Sequence, residues 1–194
     1  MKLGKIVALT GIQSGGKSTM ALDLVSALKK RSINAWHVLD VARTTTLPRH
    51  ADGGPATQEA IAHRMAVALL ETAAKHDVVI TDRSLFDTVA YNIACGCPMN
   101  SSSTNRLYRM NMDFVMEYFT RIYVVRGGFD LHADGDRVID QEFYDKSVAA
   151  FEETYTRVAE DLSRTTVRVI GVDSLKLQAT RVIIQIEVFQ LMGI

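Results

Sequence analysis

GIQSGGKST, residues 11–19, is the most informative segment of this sequence for its fold. From Gly11 to Ser18 it satisfies the pattern GxxxxGK[ST], and it stands between the apolar run KIVAL (5–9) and a helix-like segment that begins at Lys17. In a strand–loop–helix context this pattern predicts a P-loop, because glycines let successive backbone N–H groups curl around a phosphate chain. The helix that follows turns its positive dipole end toward the same phosphates. The stretch therefore predicts binding of a nucleoside triphosphate.

The side chains of the predicted P-loop have separate expected roles. Lys17 would reach the β- and γ-phosphates, and Ser18 would hold Mg²⁺ with Thr19 beside it. Further contacts to the nucleotide are expected from the rest of the loop, at Gly11, Ser14, Gly15 and Gly16. ATP and Mg²⁺ are thus the expected cofactors. P-loops serve kinases, GTPases and motor ATPases alike, so the other loops must decide the chemistry.

Four further apolar runs follow the first, at intervals long enough for helical crossovers. They are AWHVL (35–39), DVVIT (77–81), RIYVV (121–125) and TVRVI (166–170). Their continuous valine and isoleucine content, without strict alternation, predicts parallel strands covered by helices on both faces. The expected helices span residues 17–31, 56–76, 84–95, about 101–119 and 141–164, with a closing helix capped by Asp173 or Ser174. The predicted fold is a three-layer α/β P-loop NTPase fold with a five-stranded parallel sheet.

Two of the expected helices carry an apolar face at spacings of three and four residues. In the segment 141–164 this face consists of Tyr144, Val148, Phe151, Tyr155, Val158 and Leu162. The closing helix is expected to direct Leu177, Val182, Ile186 and Phe189 inward.

The composition is that of one globular domain, and we expect residues 1–194 to form it. Lys and Arg number 22, and Asp and Glu also number 22, so no overall field draws the chain to nucleic acid or to an anionic membrane. The apolar runs are strand-sized and the chain opens without the apolar segment of a signal peptide, so we expect no membrane association and a cytoplasmic location. Cys95 and Cys97 are expected to be free thiols.

An acid and an arginine follow the third predicted strand, in TDRSLFDTVAY (81–91). An acid at the end of an apolar strand is typical of a Walker B position, where a carboxylate holds Mg²⁺ directly or through water, and Asp82 is that acid. The guanidinium of Arg83 offers a planar fork of donors suited to a phosphate or an acceptor. A salt-bridged strand end is the alternative interpretation of the pair.

A second acid–arginine pair, Asp40 and Arg43, follows the second predicted strand in LDVARTTTLPRH (39–50). Open α/β sheets collect ligands at the carboxyl ends of their strands, so we assign residues 41–55 as an acceptor loop. Asp40 is the candidate base or orienting group for an acceptor hydroxyl, and Arg43 would position the acceptor or balance charge. A helix-capping aspartate with a solvated arginine is the alternative.

The fourth predicted strand leads into VVRGGFDLHADGDR (124–137), where Arg126 and Arg137 flank a glycine pair. We hypothesise that residues 127–140 form a lid over the triphosphate. Arg83, Arg126 or Arg137 would then neutralise the charge that develops on the transferred group. A surface loop whose arginines pair with Asp130, Asp134 or Asp136 is the alternative.

GIQSGGKS, DVAR, TDRSLFDTVAY and DGDR, in this order, resemble the small P-loop kinases related to nicotinamide riboside kinase and their AAA-type phage and bacterial relatives. The resemblance spans most of the chain, although Asp40 stands where the family more often has Glu. It also extends to phage polynucleotide kinase and to 5-hydroxymethyluracil DNA kinase. The resemblance implies acceptor binding by Asp87 together with Asp40, Arg43 and Arg83. Further residues that match the family pattern are Asp82, Tyr91, Asp134, Gly135 and Arg137.

These observations favour an ATP-dependent phosphotransferase that moves the γ-phosphate to a hydroxyl. The acceptor would be a nucleoside, a nucleotide or a hydroxyl carried on DNA, and zero net charge weakly disfavours DNA. Trp36, Phe86 and Tyr91 could stack on a base, with core packing as the alternative use of each. The chain lacks the guanine-reading sequence NKxD expected of a GTPase. A P-loop ATPase or regulatory module without an acceptor is the alternative function, and a homodimer is compatible with the sequence.

Overall fold

The computed structural model, which describes residues 2–13, 15–126, 140–173 and 177–193, contains five strands and six α-helices in those residues. The strands are β1 (Lys5–Thr10), β2 (Ala35–Val38), β3 (Val78–Asp82), β4 (Phe119–Arg126) and β5 (Arg168–Asp173). The helices are α1 (Lys17–Lys29), α2 (Pro55–Ala73), α3 (Phe86–Ala94), α4 (Ser102–Tyr118), α5 (Gln141–Leu162) and α6 (Leu177–Met192). Short 3₁₀ helices at Val41–Thr44 and His50–Asp52 lie within the predicted acceptor loop.

The five strands form one parallel sheet in the order β2-β3-β1-β4-β5. The central strand β1 pairs with β3 on one side and with β4 on the other, so the strand order reverses at β1. Leu9 in β1 lies opposite both Asp82 in β3 and Tyr123 in β4. The loop after β1 therefore lies at the switch point where open α/β sheets bind ligands, next to the end of β3.

Alternate residues of β1 enter two separate cores, one on each face of the sheet. Ile6 and Ala8 pack with α2, α3, α4 and α5, whereas Val7 and Leu9 pack with α1 and α6. Because both faces are covered, both sets of side chains must be apolar, and the strand reads as an uninterrupted hydrophobic run. The predicted three-layer α/β fold with helices on both sides of a five-stranded parallel sheet is confirmed.

The prediction for α6 was wrong at two of its inward positions. Val182 and Ile186 are 53% and 49% exposed, whereas Ile184, Val188 and Phe189 are buried. This helix carries apolar residues on several sides, so the period of the pattern does not identify the buried face. Its contacts with α1 and β5 select the stripe through Ile184 and Val188, which are one turn apart. Ser174, one of its two expected caps, lies outside the described residues, as does the side chain of Leu177, which was also expected to point inward.

Element boundaries differ from the sequence prediction by a few residues. Helix α2 begins at Pro55 rather than at residue 56, because proline fits the first turn of a helix, where its missing N–H has no partner to lose. The hydroxyl of Thr57 instead donates to the carbonyl of Pro48, at 2.9 Å, and so ties the start of α2 to the acceptor loop. None of the described helices is long and apolar enough to cross a membrane.

Candidate active site

The P-loop backbone passes so close to β4 that glycine is required at its first position. Gly11 has a φ of +134°, and a Cβ atom placed there would lie 2.2 Å from the carbonyl oxygen of Val125. At the other end of the loop Gly16 has a φ of +71° and forms the N-cap of α1. Two left-handed or strained backbone positions explain the glycines of the motif. Ser14, expected among the nucleotide contacts, lies outside the described residues.

Lys17 is folded back under the loop, with its ammonium group enclosed. Its Nζ donates a hydrogen bond to the carbonyl oxygen of Ile12 at 2.6 Å, and the residue is only 5% exposed. Burial, aided by the positive charge of Arg83, lowers the pKa of Lys17 to about 8, although Asp82, Asp87 and Asp40 oppose this. Among the described residues, the hydrogen-bond partner of this buried cation is a neutral carbonyl, and a bound triphosphate would supply an ionic partner.

Ser18 and Asp82 together offer the oxygen atoms that a magnesium ion needs. The Ser18 hydroxyl donates a hydrogen bond to the Asp82 carboxylate, which joins the first turn of α1 to the end of β3. Among the described residues there is no group of three or more His, Cys, Asp or Glu that could hold a metal ion. Mg²⁺ is commonly held by one or two protein oxygens, with phosphate and water oxygens completing its octahedron, so this pair fits the ion.

Asp40 is held by Arg83 across the gap between β2 and β3. Arg83 Nε donates to Asp40 Oδ2 at 2.9 Å, and the backbone N–H of Ala42 donates to Asp40 Oδ1 at 3.1 Å. Burial alone would raise the pKa of the Asp40 carboxyl, but the charge and hydrogen bond of Arg83 outweigh burial and lower it. Asp40 is therefore an ionised acceptor of fixed orientation.

The backbone of Arg83 adopts a conformation that non-glycine residues rarely occupy. Its φ is +108°, and two hydrogen bonds hold the peptide there. Its N–H donates to the carbonyl of Leu9 at 2.9 Å, and its own carbonyl accepts from the Thr81 hydroxyl at 3.1 Å. Strained backbone of this kind is concentrated at functional sites, and here it aims the guanidinium back between the strand ends.

A buried hydrogen-bond network lies behind Arg83 and centres on Asp87. One carboxylate oxygen accepts from the hydroxyls of Thr10 and Tyr155, the latter at 2.5 Å, and from the N–H of Ser84 at 3.3 Å. The other accepts from Arg83 at 3.3 Å. Burial raises the pKa of Asp87, while Arg83, Thr10 and Tyr155 act to lower it. The network ties α3 to β1 and α5 and fixes the position of Arg83.

One cavity of about 250 Å³ joins the P-loop to the acid–arginine groups. Its phosphate end is formed by residues 15–19, and Asp82 and Asp40 border it with Arg83. Helices α2 and α3 contribute a partly apolar part of the lining. Its residues are Gln58, Ile61, Met65, Thr88 and Tyr91, and Arg43 and Arg49 from the acceptor loop also line the cavity.

The structure brings most of the predicted site residues together in this cavity. Arg126 lies elsewhere, at the end of β4, where its side chain is 59% exposed and lies 3.6 Å from Glu152. It lines a neighbouring cavity with Gly11 and Ile12. Arg137 lies outside the described residues, as does the predicted lid 127–140 except for Asp140, which caps α5. The roles predicted for Arg126 and Arg137 stay predictions.

Of the three aromatic residues that could stack on a base, one lines the site cavity and two do not. Phe86 is fully buried and packs against Tyr108, so stacking on a ligand base is excluded for it. Trp36, on the edge strand β2, stacks on His76 with ring centroids 5.3 Å apart, outside the lining of the site cavity. Tyr91 does line the cavity, and its hydroxyl lies 3.3 Å from Arg83.

The sequence did not identify several of the residues that complete the site. Gln58, Ile61 and Met65 lie on one face of α2, at spacings of three and four residues. A glutamine in an otherwise apolar face was the signal for Gln58. Nothing in the local sequence connects Tyr155 or Thr10 to Asp87, because those contacts span 68 and 77 residues.

A family model described as AAA domain matches residues 6–174 of the chain. The match begins in β1 and runs past the end of β5, so the P-loop, the two acid–arginine pairs and the Asp87 network all fall inside it. No curated protein matches the chain.

Proposed function

The chain belongs to a family of AAA domains, which are nucleotide-binding P-loop proteins, and we propose that it transfers the γ-phosphate of ATP to a hydroxyl group. The observation that carries the proposal is the Asp40–Arg83 pair, held at 2.9 Å in the same cavity as the P-loop. A carboxylate that lines the same cavity as the P-loop can orient and deprotonate a hydroxyl acceptor.

The shape of the cavity supports an organic acceptor over water. ATP hydrolysis needs room for one water molecule beside the γ-phosphate. Here the cavity lining also includes an apolar wall made by Ile61 and Met65 of α2. An apolar wall gives no advantage to water but favours burial of a carbon skeleton, as in ligand pockets generally.

The proposed reaction assigns each group one task. Lys17 and the P-loop amides bind the triphosphate, and Ser18 and Asp82 would hold Mg²⁺, whose contribution is to neutralise charge on the β- and γ-phosphates. The acceptor hydroxyl donates its hydrogen bond to Asp40, and its oxygen attacks the γ-phosphorus in line. The bond from that phosphorus to the β–γ bridging oxygen breaks, ADP leaves, and the hydroxyl proton passes to Asp40 and then to solvent.

The lowered pKa of Asp40 favours orientation over strong basicity. Paired with Arg83, the carboxylate accepts a hydrogen bond well but holds a proton poorly. Phosphoryl transfer tolerates this, because its transition state is largely dissociative and the hydroxyl proton can leave late. Arg83, whose guanidinium also reaches Asp87 and Tyr91, would help to neutralise the transferred group.

The proposed acceptors are a nucleoside, a nucleotide, or a hydroxyl carried on DNA, either a 5′ end or a modified base such as 5-hydroxymethyluracil. The resemblance of the motifs to small P-loop kinases supports this set. The experiment is to incubate the protein with γ-labelled ATP, Mg²⁺ and a panel containing each class, and to identify the labelled product. Release of ADP and phosphate with no labelled acceptor would favour a P-loop ATPase or regulatory module instead.

An Asp40→Asn variant tests the role of the Asp40 carboxylate in transfer directly. We expect it to retain ATP binding and to lose transfer by about 10²-fold or more, the scale of general-base assistance. Asp113→Asn is the matched control, because Asp113 is exposed on α4 and does not line the cavity. Unchanged transfer in Asp40→Asn would remove Asp40 from the mechanism.

A further inference from the structure

Gln58 is a buried polar residue in the lining of the site cavity. The residue lies in the first turn of α2, is 4% exposed and lines the cavity. Its backbone N–H bonds to Gly54, but its side-chain amide makes no hydrogen bond to any residue in the part of the chain that the structure describes. Buried polar side chains nearly always have a partner, so this amide is placed for a ligand.

The surroundings of the Gln58 amide suit a flat ring. Ile61 and Met65 follow it on the same face of α2, and Tyr91 and Thr88 line the cavity from α3. A small number of polar groups set among apolar and aromatic side chains is typical of a pocket that fixes the orientation of a ligand. The amide would supply the directional contact, and the apolar side chains would cover the faces of the ring.

A primary amide carries an acceptor and a donor side by side. The edge of a nucleobase offers the complementary pair, for example a ring N–H beside a carbonyl, or an amino group beside a ring nitrogen, and glutamine reads such an edge through two hydrogen bonds. A bare sugar or a simple alcohol has no such edge. We infer that Gln58 binds the nucleobase of the phosphate acceptor; this inference rests on the proposed phosphotransferase function.

The acceptor hydroxyl would then belong to a nucleoside unit whose base enters the cavity and whose hydroxyl faces Asp40. Two sources share this chemistry, a free nucleoside or nucleotide and a base carried on DNA. A cavity of about 250 Å³ is too small to admit a stacked duplex. A base on DNA would therefore have to leave its stack to reach Gln58.

The test combines a change in the protein with a change in the base. Gln58→Leu removes the amide and keeps the bulk, Gln58→Glu keeps an acceptor and loses the donor, and Gln190→Leu, on the exposed surface of α6, is the control. The probes are thymidine, 5-hydroxymethyl-2′-deoxyuridine, cytidine and adenosine, their ring-N-methylated forms, ribose, and single-stranded oligonucleotides that contain the same bases. Binding is measured with a non-hydrolysable ATP analogue, and phosphate transfer is measured separately with ATP.

We expect Gln58→Leu to weaken binding and raise KM for the accepted nucleoside unit about 10- to 100-fold, with kcat and ATP affinity little changed. Methylation of the base edge should cost the wild-type protein a similar factor and Gln58→Leu nothing more, because both changes remove one interaction. Transfer of label to the monomers or to the oligonucleotides shows whether the acceptor is a free nucleoside unit or one carried on DNA. If Gln58→Leu does not fold, the same comparison is made with Gln58→Glu. In that variant we expect the largest loss of binding for bases that need an amide donor.

Each remaining outcome decides between the inference and the proposed function. Nucleoside binding that depends on Gln58 without any transfer would confirm Gln58 as a nucleobase-binding residue and overturn the phosphotransferase. Transfer to a nucleoside with unchanged KM in both variants, additive losses from methylation and substitution, or transfer to ribose alone would overturn the inference and keep the phosphotransferase. Absence of both binding and transfer would overturn the two together.

Discussion

Arg83 shows how one residue can set the charge of a whole site. Its guanidinium donates to Asp40 and Asp87 and stands near enough to Lys17 to help lower the pKa of that lysine. A lysine in its place could not make the same fork of contacts, since it presents one ammonium group. The fixed cation keeps Asp40 ionised and leaves Lys17 in need of an anion.

The lowered pKa of Lys17 predicts uptake of a proton when the triphosphate binds. In the free protein, at about pH 9, most Lys17 side chains are neutral, since their pKa is about 8. Bound phosphate charge raises that pKa again, so the lysine must take up close to one proton on binding ATP. Calorimetry of Mg·ATP binding in two buffers of different ionisation enthalpy measures this proton directly.

Lys17→Arg is the control for the proton measurement, because arginine stays charged and has no proton to gain. We expect the buffer dependence at about pH 9 to vanish in this variant and to be small for the wild-type protein near pH 6.5, where Lys17 is already charged. Equal proton uptake by wild type and Lys17→Arg at about pH 9 would assign the proton to another group.

At the scale of elements, α5 is tied to β1 and α3 through the Tyr155 hydroxyl. That hydroxyl lies 2.5 Å from Asp87, 2.7 Å from Thr10 and 2.9 Å from Ser84, all of them buried. Tyr155→Phe keeps the ring in the core but leaves these polar groups short of a partner. We expect the free energy of unfolding to fall by about 1–3 kcal/mol, as measured by urea denaturation.

Tyr144→Phe, on the same helix, is the control for this prediction. Tyr144 is only half-buried and its hydroxyl has no hydrogen bond to the part of the chain that the structure describes, so its loss should change stability by less than about 0.5 kcal/mol. Equal losses in the two variants would mean that the Asp87 network does not hold α5 in place.

The elements themselves were largely predictable, and the physical reason is clear in β1. A strand covered on both faces must be apolar at every position, so KIVAL could be recognised without knowledge of its neighbours. The inward face of α6 could not be predicted, since Val182, Ile184 and Ile186 are equally apolar and only packing decides which is buried. Periodicity identifies a face when polar residues mark the opposite side, as along most of α5.

At the scale of the whole molecule, strand order decides which loops meet. The order β2-β3-β1 places the loops after the first three strands at neighbouring positions, so Asp40, Asp82 and Lys17 converge although they are far apart in sequence. The α/β pattern predicted this convergence at the carboxyl ends of the strands. It could not predict the pair Asp40–Arg83 or the place of Gln58, because the partner of a side chain depends on packing between elements.

The same convergence predicts that ATP stabilises the entire fold in a manner that depends on magnesium. The P-loop, α1 and β3 all border the phosphate end of the cavity, so a ligand there binds only the folded chain. At a free ATP concentration about 100 times the Kd, the free energy of unfolding should rise by about 2.7 kcal/mol. Thermal denaturation with Mg·ATP, and again after removal of the metal with EDTA, measures the rise and the share of it due to the ion.

Variants of the two residues that would hold the ion test this share. In Ser18→Ala and Asp82→Asn the EDTA step should change the midpoint of unfolding little, because the hydroxyl or the carboxylate that would hold the ion is gone. Asp113→Asn should respond as the wild-type protein does. If EDTA still removed the whole ATP-dependent rise of the midpoint in Ser18→Ala and Asp82→Asn, the ion would have to bind elsewhere in the molecule.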